Sequence, residues 1–580
     1  MAIIGDRPPP EFASIAGAHI FEHGHLPAVA AYCRQLKLVE LINTMVPSQM
    51  AISPGHVVQA MVLDILSGRS PLYHVEHFLE GLDIELLLGE NIPAHAFNDT
   101  NLARTLDAIF DAGTSRIMSE IGLRATKSFS LDPSVVSYDT TSTSVWGEYR
   151  ACESDEPPPG PVIAYGHSKD NQPNLKQFMT ELLCIDRGVP IFSRTLDGNS
   201  SDKNSNNEML TRITKIMAKQ GLGPGAFVYV ADSAMVTKSN LEEIGKTSFI
   251  TRLPAVYGEC NRVIAEAVNR GEWNNIGTQA ECVTSKSRPA AIYRTQECEV
   301  TLYEQVYRAI VIHSSSHDKR RRKKLEKAIS QSAKQLNVAL KKLQDTYFCR
   351  SDAQVAAKQA EKMADSLHRV ITRITPFEKR LRGRPPIGRP PATETHYTLE
   401  WELVQNEAGV KEQELLAGCF VLLTNVPREG KNTLQAEEVL RVYKGQYGVE
   451  SDFAFLKDPL IVNDLFIKTP SRIDALGMIL VLALMIWRLM ERSMRAYVEN
   501  EDCTLPGWDR KRTLKPTAFM MSKAITGITV ILLNGKRALL CAPGSDKLEF
   551  LTALGCGTQA FTDPRCRCRP IIKRKLKYSG

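Results

Sequence analysis

The sequence lacks the local motifs of several common enzyme classes. It contains no G-x-S-x-G nucleophile turn, no phosphate-binding P-loop and no H-E-x-x-H zinc motif. Each of these motifs places its reactive or ligand-binding groups at a fixed spacing, so their absence argues against an α/β-hydrolase, a P-loop nucleotidase and a zinc protease. The sequence therefore gives no sign of a side-chain nucleophile of these types.

Cysteine usage and hydropathy give no sign of disulfides, zinc or a membrane. The 13 cysteines are odd in number, form no C-x-x-C pair, and include no second pair at zinc-ligand spacing from Cys566 and Cys568, which predicts reduced thiols in a cytoplasm. The first ten residues have no apolar core of a signal peptide. The most apolar run, from Ala475 to Trp487, is too short to span a bilayer and ends at Arg488, so we expect a buried helix there.

Charge is plentiful in this chain, and it is unevenly distributed. The 43% hydrophobic and 24% charged residues are typical of a soluble globular protein, and the net charge is +7. Basic residues concentrate at 319–324, 380–384 and 565–577. A single basic run can be a solvated face, but three clusters favour a polyanion such as DNA or RNA, because each neutralised phosphate releases counterions.

The first 125 residues have the periodicity of short helices with tight breaks. One helix is predicted to start at Ser53-Pro54, another near Leu72, and a third after Asn98-Asp99. This pattern fits a helix-turn-helix reader of DNA and equally a plain helical bundle.

The pattern after residue 125 changes to strands, some of which end in acids. The predicted strands are 134–139, 178–185, 189–195, 227–232 and 420–424, with helices after the third, fourth and fifth. The first three should be antiparallel, and the later ones parallel because they enter through helical crossovers. Asp139 and Asp232 close the first and fourth strands, and Glu450 lies on the helix after the fifth, so the three acids can converge at one end of the central strands.

Residues 251–414 interrupt this order. They include a long helix-forming run, 318–371, in which Ile329, Leu336 and Leu343 repeat every seven residues. Such a repeat is compatible with a helical hairpin or with a short coiled coil.

The helix predicted near residue 450 contains two acids, of which one is favoured. At about 100° per residue, Tyr443, Gln446, Glu450 and Lys457 fall within an arc of about 60°, whereas Asp452 lies about 180° from Tyr443. Glu450 therefore shares a polar stripe with the tyrosine, the amide and the lysine. An exposed helix with incidental charges would look the same if Glu450 were the only acid in question.

Three acids brought together make a hard-oxygen site that suits Mg²⁺ or Mn²⁺. Two such ions about 3.5–4 Å apart can hold the attacking and leaving oxygens of an in-line phosphoryl transfer. We therefore predict Asp139, Asp232 and Glu450 as catalytic residues and as ligands of two Mg²⁺ or Mn²⁺ ions. The alternative for both aspartates is that they are ordinary acids at strand ends.

Several short stretches act as motifs when they are taken jointly. They are Tyr138–Thr141, Tyr165–Asp170, Leu175–Gln177, Gly198–Asp202, Val230–Ser233, and Tyr443, Gln446, Glu450 and Lys457 at spacings of three, four and seven. Together they resemble bacterial insertion-sequence transposases of the DDE type, in the branch whose signature is Tyr, Arg, Glu and Lys. The resemblance covers about residues 130–490, with a similar helical front.

The resemblance implies a fold, a set of domains and a function. The fold is α/β, with an RNase H-like mixed five-stranded sheet flanked by helices and interrupted by an insertion between the second Asp and the Glu. The implied domains are 1–125, helical with a candidate role in DNA-end binding; 126–250 and 415–500, the two parts of the catalytic core; 251–414, the insertion; and 501–580, a C-terminal region with a basic tail. The function is that of a transposase that binds terminal inverted repeats, cleaves DNA strands and transfers 3′-ends to a target.

The resemblance also implies partners and contacts. Double-stranded DNA and a second copy of the chain are the expected partners, in a bacterial cytoplasm at the nucleoid and without a membrane. DNA contacts are predicted at Tyr443, Gln446 and Lys457. Arg382 and Arg384 resemble a minor-groove hook, although a solvated linker has the same composition.

Gln446 departs from the family pattern, which has an arginine at this position. Glutamine still donates a hydrogen bond but carries no charge, so it cannot clamp a phosphate as a bidentate cation does. Two other functions stay open beside the transposase. They are a non-mobilising DNA nuclease with the same core and a catalytically inactive DNA-binding protein derived from such an element.

Overall fold

The computed structural model describes residues 17–67, 74–145, 147, 149, 159–169, 172–186, 188–223, 225–279, 290–343, 346–382, 391, 393–430, 432–457 and 469–572. The fold is mixed α/β, and it divides into two compact units. The first unit lies within Met1–Thr251, Asn425–Leu434 and Glu438–Gly580, and the second within Arg252–Thr424 and Gln435–Glu437.

Short helices form the N-terminal part of the first unit. After strand β1 (His19–Glu22) they are α1 (Leu26–Leu36), α2 (Leu38–Met45), α3 (Pro54–Ser67), α4 (Val75–Glu80), α5 (Ile84–Leu88), α6 (Asp99–Ala112) and α7 (Thr114–Phe129). The starts predicted at Ser53-Pro54 and after Asn98 are confirmed, and the Asn98 side chain accepts a hydrogen bond from the backbone N–H of Asn101 at 3.1 Å. Leu72 lies outside the described residues.

A mixed sheet follows in the first unit. Its elements are β2 (Val135–Val145), β3 (Lys176–Ile185), β4 (Val189–Leu196), α8 (Asp202–Lys219), β5 (Val228–Val230), α9 (Lys238–Ile244) and β6 (Ser248–Arg252). These strands are neighbours in the order β4-β3-β2-β5-β6. The β2–β3 and β3–β4 pairs are antiparallel, whereas the β2–β5 and β5–β6 pairs are parallel, as predicted for strands that enter through helical crossovers.

Helices pack on the antiparallel side of this sheet. The backbone of α7 approaches β4 closely at Gly122, where an added Cβ would lie 2.2 Å from the carbonyl oxygen of Ile191, so only glycine fits. On the other side of β5, the sheet of the first unit continues with the parallel strand β6, which the sequence had not predicted. The short segment 248–252 directly follows α9 and lacked a strong strand pattern of its own.

The remainder of the first unit is mainly helical. It contains α14 (Ala436–Lys444), α15 (Tyr447–Leu456), α16 (Pro470–Asn500), β14 (Leu505–Pro506), β15 (Arg512–Thr513), α17 (Ala518–Ala524), β16 (Thr529–Leu533), β17 (Lys536–Leu539) and α18 (Ser545–Ala553). Strand β16 pairs antiparallel with β1 and with β17, which ties the C-terminal region to the N-terminal helices.

Helix α16 carries the most apolar run of the chain. By length and composition it could cross a membrane, but 78% of its most apolar window is buried inside the protein. The prediction of a buried helix is confirmed, although the argument that the run is too short was wrong, because the helix extends well beyond 475–487 on both sides. A helix that is buried on nearly all faces is expected to be hydrophobic all round, as this one is.

The second unit has its own elements. They are α10 (Gly258–Arg270), β7 (Asn274–Thr278), β8 (Ile292–Leu302), β9 (Gln305–Ser314), α11 (Ser315–Lys341), β10 (Thr346–Tyr347), α12 (Arg350–Lys362), β11 (His368–Arg380), β12 (Thr393–Gln405), α13 (Glu407–Leu416) and β13 (Cys419–Thr424). Strands β13, β9, β8 and β7 are successive antiparallel neighbours, and β10, β12 and β11 form a separate antiparallel sheet.

The long helical run predicted at 318–371 is only partly correct. Helix α11 ends at Lys341 and α12 at Lys362, and the chain is a β-strand from His368 onward. The apolar side chains near the end of α11 pack with the helix α12 and with the strands β11 and β12, around Leu340 and Leu399. A heptad repeat of this length indicates an apolar helix face and does not specify what covers it.

Candidate active site

Two of the three predicted acids lie close to the place where β2 and β5 pair. Ser137 of β2 is the register partner of Val230, the last residue of β5, and the two strands are parallel. Asp139 lies two residues further along β2. The prediction that Asp139 ends its strand was wrong, because the Thr and Ser residues after it continue the pairing with β3 as far as Val145. Asp232 lies two residues beyond the end of β5, and its negative charge contributes to the raised pKa of Asp139, so the two carboxylates are within electrostatic range of each other.

Backbone donors fix both carboxylates. The Oδ1 atom of Asp139 accepts a hydrogen bond from the backbone N–H of Thr140 at 2.7 Å. The Oδ1 atom of Asp232 accepts one from the N–H of Ala234 at 3.1 Å, at the first turn of a short 3₁₀ helix. Thr251 of β6 donates its hydroxyl to the carbonyl oxygen of Asp232 at 2.7 Å, which also fixes the backbone there.

The environment of both aspartates is unfavourable to uncompensated negative charge. Burial raises the pKa of Asp139 to about 7, with the nearby Lys169 opposing this rise and the charge of Asp232 adding to it. Burial also raises the pKa of Asp232, and repulsion from Asp202 is the next cause. A cation at this place would relieve the cost, which is how metal sites hold ionised carboxylates close together.

A network of three further residues lies beside Asp139. The Nζ atom of Lys169 donates to the carbonyl oxygen of Thr140 at 2.6 Å and to its Oγ1 at 3.0 Å, and it lies 3.3 Å from Oδ1 of Asp202 and 4.0 Å from Oδ1 of Asp139. The Thr140 hydroxyl donates to Asp202 at 2.6 Å. The sequence had not identified Lys169 and Asp202 as site residues, although both lie in the motif stretches 165–170 and 198–202.

The third predicted acid, Glu450, has a different environment from the two aspartates. It is exposed on α15, a helix that packs against β2, and its backbone N–H donates to the carbonyl oxygen of Gln446. Among the described residues no group of three His, Cys, Asp or Glu side chains is placed to hold a metal ion. The convergence of Glu450 with Asp139 and Asp232 therefore stays a prediction.

Asp452, the acid predicted to lie on the side of the helix opposite to Tyr443, is buried. Its Oδ1 accepts from Nε of Arg488 at 2.5 Å, and its Oδ2 accepts from the thiol of Cys184 at 3.6 Å. Arg488 also binds Glu491 at 2.5 Å and the hydroxyl of Ser451 at 2.8 Å. Asp452 is thus a structural ion-pair partner between α15, β3 and α16.

Tyr443, Gln446, Glu450 and Lys457 do not lie on one continuous helix, so the prediction of a single polar stripe was wrong. Helix α14 ends at Lys444 and α15 begins at Tyr447, because the N–H of Gly445 closes a turn back to Arg441 and Val442. A glycine at this place favours a helix break. Gln446, between the two helices, keeps helical backbone angles and is buried.

The other predicted DNA contacts have varied surroundings. Tyr443, on α14, is half-buried, and Lys457 follows the last residue of α15 and is also half-buried. Arg382 is exposed just after β11. Arg384 lies outside the described residues.

Comparisons with known proteins bear on the N-terminal helices. A family model described as a domain of unknown function, DUF4277, matches residues 18–123. This domain is associated with transposase-like proteins. No curated protein matches the chain. The matched segment covers helices α1 to α7 up to residue 123, and thus the part that precedes the aspartates.

The buried carboxylate of Asp139 predicts a pH dependence of stability. Its pKa rises from 3.8 to about 7 on folding, so between these values the folded chain holds more protons than the unfolded one, and the free energy of unfolding falls as pH rises. Asp139→Asn should remove this contribution and raise the free energy of unfolding at pH 8 in EDTA by roughly 1–3 kcal/mol. Melting curves at pH 5 and pH 8 measure it. The exposed Asp132→Asn is the control, and parallel profiles for Asp139→Asn and wild type would contradict the prediction.

Proposed function

We propose that this chain is a DNA transposase with an RNase H-like core, which binds the terminal inverted repeats of its own element, cleaves DNA strands and joins their 3′-ends to target DNA. The observation that carries the proposal is the pair of half-buried aspartates, Asp139 on β2 and Asp232 two residues beyond the end of the adjacent parallel strand β5, with electrostatic coupling between them. The order β4-β3-β2-β5-β6, with three antiparallel strands and two parallel ones, supports the RNase H-like assignment.

The donor set of the site fits a hard divalent cation. Asp139 and Asp232 would hold it, with Glu450 as the predicted third ligand. When bound, Mg²⁺ or Mn²⁺ would supply activation of a water or 3′-hydroxyl and stabilisation of the leaving oxygen. The chain itself fixes the carboxylates through the N–H groups of Thr140 and Ala234, and holds a lysine next to them. We further propose that the chain acts as a homodimer at the nucleoid of a bacterial cytoplasm.

The test uses the DNA that flanks the gene. Labelled duplexes that carry the matched inverted repeats are incubated with the purified chain and a target plasmid, in Mg²⁺, Mn²⁺ or EDTA. A transposase gives metal-dependent nicks at the repeat ends and joins the labelled 3′-ends to the plasmid. Cleavage without joining would identify the nuclease alternative. Binding without cleavage in either metal would identify the inactive DNA-binding derivative and overturn the proposal.

The basic block at the start of α11 is a candidate DNA-backbone surface of the second unit. Among the described residues neither Arg320 nor Arg321 forms an ion pair with a carboxylate, whereas Arg322 is paired with Asp318 at 2.8 Å. Burial and the charges of Arg321, Arg252 and Arg320 lower the pKa of His317 in this order, which shows how concentrated the positive charge is. Unneutralised arginines of this kind bind phosphates.

The unpaired arginines should contribute more to DNA binding than the paired one. Arg320→Ala and Arg321→Ala should each weaken binding of a repeat duplex by about 3–10-fold at ~0.1 M salt and reduce the log–log salt slope by about 0.9. Arg322→Ala is the matched control on the same turn of the helix, and it should change affinity less because Asp318 already neutralises Arg322. Fluorescence anisotropy over a salt series measures both quantities. Equal effects for the three variants would count against this surface.

A further inference from the structure

The positive charge next to the aspartates is supplied by the chain itself and is firmly anchored. Lys169 reaches this position from the segment before β3, where its backbone N–H donates to the hydroxyl of Ser142 on β2 at 3.0 Å. Its ammonium group donates to both oxygens of Thr140, and Asp202 accepts from the same threonine hydroxyl. Three elements of the first unit thus converge on one lysine: β2, the start of α8 and the 159–169 segment.

The distances show which oxygens the lysine uses and which it leaves available. Thr140 provides the two short contacts at 2.6 and 3.0 Å, and Asp202 lies at 3.3 Å. Asp139 lies at 4.0 Å, beyond hydrogen-bond distance but close enough for a strong charge interaction. The ammonium therefore balances the charge of Asp139 without occupying its ligand oxygens.

We propose that Lys169 is a built-in counter-cation of the acidic site, anchored by Thr140 and Asp202, which holds the site together in the metal-free protein and opposes the binding of a divalent cation to Asp139 and Asp232. The inference rests on the proposed function, because it assigns the two aspartates to a divalent cation. Lys169 is in this role a positioning residue that sets how tightly the site takes up its metal.

Coulomb's law gives the direction of the effect. An ammonium about 4 Å from a ligand oxygen lies within several ångströms of any cation bound to that oxygen, and the side chains of Lys169 and Asp139 are both partly buried. Removal of the ammonium leaves three neighbouring carboxylates without their positive partner. The metal-free site then becomes less stable, and the gain on binding a divalent cation becomes larger.

The test measures Mn²⁺ binding to the full chain by calorimetry, without DNA. Lys169→Met should bind Mn²⁺ about tenfold or more tightly than wild type, and its melting temperature should be lower in EDTA but rise more on addition of Mn²⁺. Lys169→Gln retains a donor for Thr140 without the charge, and it should show the tighter binding with a smaller loss of stability in EDTA. A purely structural lysine would lower stability without strengthening Mn²⁺ binding.

The controls separate this inference from the proposed function. Lys219→Met removes the same charge at the exposed end of α8, where Lys219 is paired with Glu120 at 3.0 Å, and should leave Mn²⁺ affinity unchanged. If wild type binds Mn²⁺ through Asp139 and Lys169→Met binds it equally or more weakly, the counter-cation role is overturned while the proposed function stands. If neither protein binds Mn²⁺, or if Asp139→Asn binds as wild type does, the metal assignment itself is wrong and both fall.

Discussion

Asp139→Asn and Asp232→Asn should each lower cleavage of a repeat-end duplex by at least roughly 10²-fold in Mg²⁺, while the affinity for that duplex stays within a few fold. Each substitution removes the negative charge of a proposed metal ligand but preserves the shape of the side chain. The amide can still accept the hydrogen bond that the backbone of Thr140 or Ala234 donates. Denaturing gels for cleavage and gel shifts for binding give the two quantities separately.

Asp132→Asn is the matched control for this experiment. Asp132 is an exposed acid just before β2, where its side chain accepts from the backbone N–H of Ser134 at 3.0 Å. Its replacement changes the net charge of the chain by the same amount and should leave cleavage unchanged. Normal cleavage by both Asp139→Asn and Asp232→Asn would refute the assignment of the site. A parallel loss of DNA binding would place these residues in the binding surface instead.

The second large effect concerns the two acids of α15. Asp452→Ala should lower the free energy of unfolding by about 2–4 kcal/mol, because Arg488 keeps Glu491 but loses one of its two carboxylate partners, and the Cys184 thiol loses its acceptor. Glu450→Ala, less than one helical turn away on the same helix, removes an exposed side chain and should change stability by less than about 0.5 kcal/mol. Urea or thermal unfolding of the two variants measures the difference.

The same pair of variants decides which acid belongs to the catalytic site. If Glu450 is the third ligand, Glu450→Ala abolishes cleavage in a fully folded protein. Asp452→Ala should lose cleavage only to the extent that it loses folding, and the loss should be recovered under stabilising conditions such as lower temperature. Full activity of folded Glu450→Ala would remove Glu450 from the site. A folded but inactive Asp452→Ala would point to Asp452 instead.

Several features could be predicted because they depend on residues close together in the chain. The caps at Asn98 and Ser201 accept hydrogen bonds from N–H groups three residues ahead, which is a local geometry. The apolar residues before Asp139 and Asp232 are also local signals of strands, and helical crossovers then favour parallel pairing of those strands. These local rules are enough to predict that the two aspartates lie near each other, although β2 continues past Asp139 to Val145.

Other features depended on long-range packing. The prediction of one continuous helix over 443–457 failed at Gly445. Whether a helix ends at a glycine depends on how the following segment packs, and this is not visible in the local sequence. The sequence nevertheless placed Glu450 and Asp452 on different sides of the helix, and in the structure Glu450 is exposed and Asp452 is buried. It could not indicate that Asp452 pairs with Arg488, a partner 36 residues away on α16.

The sequence by itself determined that this chain has an aspartate next to each of two buried-type strand segments, a helical front, concentrated basic segments and a buried apolar helix, because each of these follows from residue type and spacing within one element. Only the tertiary structure decided that Lys169 and Asp202 converge on Thr140, 29 and 62 residues away from it in the chain. It also decided that β6 takes the place next to β5 and that Gln446 is buried. The physical reason is that a side chain becomes buried or paired with an opposite charge only when elements pack together. The partner of each such side chain lies on a different element.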